Sequence, residues 1–233
     1  MSTSVYLLDV SRPPQQAALL KTSAGLSVMR QEKIRRMRFE EDRLLSLGAG
    51  LLMDIGLSFY GLSERDAVLE YRANGKPYLK DRPELFFNLS HSGAMAMAVF
   101  SDRETGCDVE QIKPARLDVA RRFFTEQEAD ALTDETLSEA ERNRLFARYW
   151  TIKESVLKVT GEGMRLPLNR FFVSLPEPVS VRACREEDTG FFAGLSFLEY
   201  SLPGYQAAVC LGKGKDAGSE VFFSFQKLQD VVR

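Results

Sequence analysis

The first apolar run, VYLLDV over residues 5–10, predicts a strand. From near Ser27 to Phe59 the pattern changes to helical spacing. Ile34, Met37, Leu44, Leu45, Leu47, Leu51 and Leu52 make an apolar stripe, and Arg30, Lys33 and Arg36 recur every three residues. Gly48 and Gly50 weaken that helix, so the stretch reads as two helices or as one with a tight crossing. Asn74-Gly75 and Lys76-Pro77 predict a turn. LFFNLSHSG (85–93) reads as a strand ending in polar turn residues. AMAMAVFS (94–101) and TGCDVEQI (105–112) read as two more strands, joined by the short link DRE.

The middle of the chain is helical. In RRFFTEQEADAL (121–132), Thr125 is an N-cap with Glu128 three residues on, the arrangement of a capping box. A second helix runs from about Ser138 to Thr160 and stops at Gly161 and Gly163. The remainder reads as strands: RFFVSL, VSVRAC, FFAGLSFLEY, YQAAVCL and EVFFSF, with GKGKDAGS (212–219) as a loop. The order is strand, helix, strands, then strand, helices, strands. It predicts an α+β fold of two similar-sized halves, 1–102 and 103–233. No Pro/Gly/Ser linker marks the division, so the halves should form one tightly packed functional unit.

Composition narrows the class. The chain has 233 residues, 44% hydrophobic and 27% charged, which rules out disorder as the main state. No apolar run approaches the ~18 residues of a membrane span, and the N-terminus lacks a basic segment followed by a long apolar one. Cys107, Cys184 and Cys210 are far apart, which argues against a disulfide framework and for a reducing cytoplasm. A net charge of −2 gives nucleic acid no global attraction. Residues 30–38 (RQEKIRRMR) nonetheless carry five positive charges and one negative, a local +4. That patch suits a phosphate-bearing ligand, or is simply a solvated helix face.

Four groups could carry chemistry. In Gly106-Cys107-Asp108-Val109-Glu110, residues two apart on a strand share a face, so Asp108 and Glu110 project together. Two carboxylates so placed can hold a hard cation such as Mg²⁺, or lie exposed on an edge strand. In WTIKESVLK (150–158), Trp150, Glu154 and Lys158 form one helical stripe, either a surface ion pair or a packed seam. His91, the only histidine, lies between Ser90 and Ser92, a cluster able to donate to phosphate oxygens. Gly75-Lys76-Pro77 by itself is a turn.

Taken in order, GKPY, NLSHS, GCDVE, RFFTEQE and WTIKESVLKVTGEGMRLPL closely resemble the 4'-phosphopantetheinyl transferase superfamily, of the surfactin-synthetase-activating (Sfp) type, over residues 5–175. The resemblance implies two pseudo-symmetric halves, each a sheet packed with a long helix, acting as a monomer. It implies transfer of the phosphopantetheine arm of coenzyme A to a serine of an apo acyl or peptidyl carrier protein, with release of 3',5'-ADP. Asp108, Glu110 and Glu154 then match the Mg²⁺ ligands, with Asp108 also beside the coenzyme A. Lys158 matches the lysine near the pyrophosphate, and Ser90 and His91 the phosphate contacts. Glu154 is the candidate base, with Lys158 and His91 completing the catalytic set. Lys76, Pro77, Arg30 and Lys33 match positions on the coenzyme A side. The family's adenosine arginine falls at Leu45 here, with Arg43 the nearest substitute. An acidic carrier would dock on Arg121, Arg122, Arg142, Arg144 and Arg148. Two alternatives compete: a Mg²⁺-dependent hydrolase of coenzyme A or nucleotide pyrophosphates, and a non-catalytic binding module.

Overall fold

The computed structural model describes residues 3–11, 13–175, 178–214 and 221–223. The chain forms two compact units. In the first, β1 (Ser4–Asp9) is followed by α1 (Pro13–Thr22), α2 (Val28–Arg36) and α3 (Glu40–Ser58), the small hairpin β2 (Leu69–Tyr71) and β3 (Pro77–Leu79), then β4 (Phe86–Ser92) and β5 (Met95–Ser101). β4 and β5 pair antiparallel, and β5 pairs antiparallel with β1, Tyr6 opposite Ala98. α3 covers one face of this sheet. Leu44, Leu47, Leu52 and Ile55 pack with Tyr6, Leu8, Ala98 and Phe100 in one core.

The predicted helix over 27–59 is two helices, and the break is not at the glycines. α2 is capped by Ser27, whose hydroxyl accepts from the Arg30 amide, and it ends at Met37 in extended backbone. α3 runs unbroken through Gly48 and Gly50. A Cβ at Gly48 would meet the Val10 side chain at 2.9 Å, so the glycine serves the packing of helix on sheet.

The second unit repeats the plan. It contains β6 (Thr105–Gln111), α4 (Leu117–Phe123), α5 (Glu126–Ala131), α6 (Glu139–Thr160), the hairpin β7 (Phe171–Ser174) and β8 (Ser180–Ala183), α7 (Thr189–Phe192), and β9 (Ser196–Leu202) with β10 (Tyr205–Leu211). β10 lies between β9 and β6, antiparallel to both. A first strand, a long helix and a returning hairpin whose second strand pairs with the first: the topology of β1, α3, β4 and β5 recurs as β6, α6, β9 and β10. The expected capping box of Thr125 with Glu128 forms, and a second, Ser138 with Glu141, opens α6. α6 stops at Gly161, whose φ of 73° is the left-handed conformation that a helix C-cap favours. Phe191 and Phe192, expected in a strand, lie in and end the short helix α7. Among the described residues no helix is long and apolar enough to cross a membrane.

A single cut between residues 102 and 103 misplaces two short pieces. β11 (Val221–Phe223), expected in the second half, pairs parallel with β1 and so belongs with the first unit. Asn74–Lys76 belongs with the second. The reason is Lys76, 9% exposed, whose Nζ donates to Glu104 Oε2 at 2.8 Å, the Thr105 carbonyl at 3.0 Å and the Val159 carbonyl at 3.1 Å. The ammonium thus ties the start of β6 to the end of α6. Lys76→Met should cost about 1–3 kcal/mol, because it strips two buried carbonyls of their donor. A lowered denaturant midpoint at constant slope is the expected reading; an unchanged midpoint would refute the strut.

Candidate active site

Side chains alternate between the two faces of β6. Cys107 and Val109 are fully buried on one face, where burial pushes the Cys107 thiol up to about 12, so it stays a neutral thiol. Gly106, Asp108 and Glu110 point to the other, which α6 covers. Gly106 makes that possible: a Cβ there would run into the Ser155 carbonyl oxygen and the Val159 amide nitrogen of the helix. Glycine inside a strand marks such a close backbone approach.

The contact brings charged groups together. Lys158 Nζ donates to Asp108 Oδ1 at 2.6 Å. The predicted i,i+4 stripe holds, but Lys158 spends its charge on the strand carboxylate and not only on its own helix. Asp108 is buried, while Glu110, Glu154 and Lys158 are half-buried. Burial and the neighbouring Asp108 hold the Glu154 carboxyl above the usual range, Lys158 pulls against them, and Glu110 adds to the rise. Burial would lower the Lys158 pKa, but Asp108, Cys107 and Glu154 more than offset it and keep the ammonium charged. Among the described residues no three His, Cys, Asp or Glu side chains stand together as a ready cation site. What the seam offers is hard oxygen donors on two elements.

Beside Glu110 opens a cavity of about 210 Å³. Val119, Phe146 and Trp150 give it apolar walls, and Lys113 and Arg116 line it with cations. Trp150 stacks on Phe146 at 6.0 Å between ring centroids, and Phe124 lies 6.2 Å from it. The tryptophan is therefore half-buried in a packed aromatic cluster, as the seam reading of its stripe expected.

Several expected ligand positions are placed differently. Lys76 is the strut described above, its ammonium held by Glu104 and two backbone carbonyls. Arg30 turns inward: its Nε lies 2.6 Å from Glu64 Oε1, and the Ser27 amide and hydroxyl bind the same carboxylate. The +4 patch is reduced accordingly, with Lys33 still exposed. Arg43 is exposed and donates to the Met37 carbonyl at 2.9 Å, while Leu45 is a core residue. Pro77 opens β3. His91 lies not in a turn but near the end of β4, opposite Ala96 on β5, with its side chain exposed and Ser90 buried; the turn begins at Gly93. Of the docking arginines, Arg148 grips Glu199 through Nε and Nη2 at 2.8 and 2.7 Å, and Arg142 donates to the Leu132 and Asp134 carbonyls. Arg121, Arg122 and Arg144 stay exposed.

Sequence reasoning overlooked Gly106 as a functional position, and the signal was there: a glycine in mid-strand directly before the acidic pair. It also overlooked Lys153, a charge on the buried stripe Tyr149, Ile152, Val156 and Leu157.

Comparison with known proteins agrees with this geometry. Residues 104–210 match the family described as "4'-phosphopantetheinyl transferase superfamily", and residues 12–102 match "4'-phosphopantetheinyl transferase, N-terminal". The 4'-phosphopantetheinyl transferase ffp of Bacillus subtilis is 33% identical over 212 residues, covering 90% of this chain and 92% of that one. The transferase Sfp of Bacillus subtilis (strain 168) is 32% identical over 88% of this chain and 91% of its own length. The transferase psf-1 of Bacillus pumilus is 37% identical over 76% of this chain and 75% of its own. The chain belongs to the 4'-phosphopantetheinyl transferase superfamily, and within it to the Sfp type. It is a transferase of the phosphopantetheine arm to carrier proteins; the hydrolase and the inert binding module are not favoured.

Gly106→Ala is expected to lift α6 from β6 and part Lys158 from Asp108. Turnover should fall at least ~100-fold, about 2.7 kcal/mol of barrier. Normal turnover in a folded Gly106→Ala protein would show that the close approach is dispensable.

Proposed function

We propose that the seam between β6 and α6 is where the pyrophosphate of coenzyme A reacts, with Mg²⁺ held by Asp108, Glu110 and Glu154. The observation that carries this is the half-buried Glu154 carboxyl lying in the field of Asp108 and Glu110 on the facing strand. Like charges so placed are costly without a cation, and carboxylate oxygens suit Mg²⁺, which keeps waters and substrate phosphates in its shell. When bound, Mg²⁺ neutralises pyrophosphate charge that would repel the incoming nucleophile.

The protein groups do the rest. The carrier serine Oγ forms a bond to the phosphorus that bears the pantetheine arm, and the bond from that phosphorus to the bridging oxygen breaks, releasing 3',5'-ADP. The serine proton passes to Glu154, directly or through a water. Lys158 stays cationic and donates to pyrophosphate oxygens, as positioning and charge stabilisation dominate phosphoryl transfer. His91, exposed on β4, serves as a phosphate contact, and Lys33 and Arg43 contribute charge on the nucleotide side. Asp108→Ala should reduce turnover at least ~100-fold at saturating coenzyme A. Mass spectrometry of apo carrier protein, coenzyme A and Mg²⁺ checks it; near-normal gain of the arm would refute the metal assignment.

The carrier docks beside the site, across the cavity next to Glu110. Its apolar walls suit a helix side, and Lys113 and Arg116 offer exposed cations to an acidic partner. Charges at an interface rim act mainly on association and its salt dependence. Lys113→Glu combined with Arg116→Glu should raise the carrier KM about tenfold and flatten its salt dependence, with the coenzyme A KM nearly unchanged. An unaltered carrier KM would place the docking surface elsewhere.

A further inference from the structure

One ion pair in the second unit is sealed from water and lies outside the reacting seam. Lys153 Nζ stands 2.9 Å from Glu128 Oε2, and both side chains are 0% exposed. The same ammonium donates to the Leu168 carbonyl at 2.7 Å and the Phe171 carbonyl at 2.8 Å, and lies 4.3 Å from the centroid of the Phe171 ring. Its three protons are all used. Glu128 is equally committed: Oε2 accepts from the Thr125 amide at 2.9 Å and Oε1 from the Val173 amide at 2.8 Å. One carboxylate thereby joins the N-terminus of α5, the strand β7 and the helix α6.

Such a pair is an odd choice for stability. Taking two charges out of water costs more than an apolar pair of the same size, and a buried pair is best explained where it fixes one arrangement among several. Here the arrangement is the rotation of α6 about its own axis. Lys153 immediately precedes Glu154, and consecutive helix residues point about 100° apart. An apolar stripe alone tolerates a small roll of the helix, because leucine and valine contacts have no direction. Three directed hydrogen bonds at Lys153 do not. Gly106 sets how close α6 lies to β6; Lys153 sets which way its neighbours face.

We infer that Glu128 and Lys153 are positioning residues, a rotational lock that aims Glu154 and Lys158 of α6 at Asp108 of β6. The inference rests on the proposed role of Glu154. It also reaches the cavity wall, since Phe124, 5.6 Å from the Lys153 ammonium, packs on Phe146 and Trp150.

The test removes the pair without leaving a buried charge: Glu128→Leu with Lys153→Met. Trp150, the sole tryptophan, sits one turn before Glu154 and reports Mg²⁺ titration by fluorescence, independently of turnover. The double variant should have a lower thermal midpoint, because the Leu168 and Phe171 carbonyls and the Thr125 and Val173 amides lose their partners, and should remain folded at the assay temperature. Its half-saturating Mg²⁺ and its kcat should worsen at least ~tenfold, a difference near 1.4 kcal/mol, while the coenzyme A KM moves little. A folded double variant with unchanged kcat and Mg²⁺ titration would overturn the lock. Should the double variant fail to fold, Glu128→Asp shortens the pair and keeps its charge. The same drop in kcat and Mg²⁺ response is expected, and full activity overturns the lock. An unmodified protein that binds Mg²⁺ but transfers nothing would defeat the proposed reaction, and the fluorescence titration would still decide the lock. If it neither binds Mg²⁺ nor transfers, both fall.

Discussion

The charged seam of this protein depends on one backbone approach. α6 lies against β6 with no side chain between them at Gly106, where the helix carbonyl of Ser155 and amide of Val159 take the place of a Cβ. The approach brings charged groups of the helix and the strand within reach of one another. Lys158 reaches Asp108 directly, at 2.6 Å, and Glu154 comes within the field of both strand carboxylates. A side chain at residue 106 would have to stand between the strand and the helix backbone and push the two apart.

The three lysines associated with α6 divide the work. Lys76 ties its last turn to the start of β6, Lys153 ties its middle to α5 and β7, and Lys158 pairs with Asp108 of β6. Sequence type does not separate them, since all are cations near glycines or acids. Their surroundings do. The first two have every proton taken by carbonyls and a carboxylate, while Lys158 keeps a quarter of its side chain in reach of solvent. A buried ammonium with full valence is a fastener. A half-buried one beside a carboxylate is a group that can move its charge to a new partner.

This division explains what could be read from the sequence. The elements were legible where local chemistry decides them: Thr125 and Ser138 as caps, Gly161 as a stop, Asp108 and Glu110 on one face of a strand. The break at Met37 was not, because nothing in the local composition competes with Gly48 and Gly50 as a helix breaker; the glycines are retained for packing that only the fold reveals. The ligand set was least legible. Lys76 and Arg30 carry the charge a phosphate needs, and the motif order made them candidates, yet Glu104 and Glu64 claim them. Those acids are distant in sequence, 28 and 34 residues away, and no spacing rule links them. His91 was read in a turn because serines flank it, but the β4 pairing extends through Ser92.

The repeated topology shows where function was placed. In the first unit the positions of the leading strand that face the long helix are Tyr6 and Leu8, followed by Val10, and they pack with α3 in the core. In the second, the helix-facing positions of the leading strand are Gly106, Asp108 and Glu110. The order of strands, the covering helix and the returning hairpin are the same. One arrangement of backbone thus carries an apolar seam in one unit and a charged one in the other, so the fold does not dictate the chemistry. What the charged version needs in addition is compensation: an apolar seam stabilises its helix by burial, whereas a seam of carboxylates gives up part of that burial. The second unit recovers it on the helix's other faces, through Ile152, Val156 and Leu157 in the core. The helix is thus held from behind by apolar burial while its front carries the charged groups.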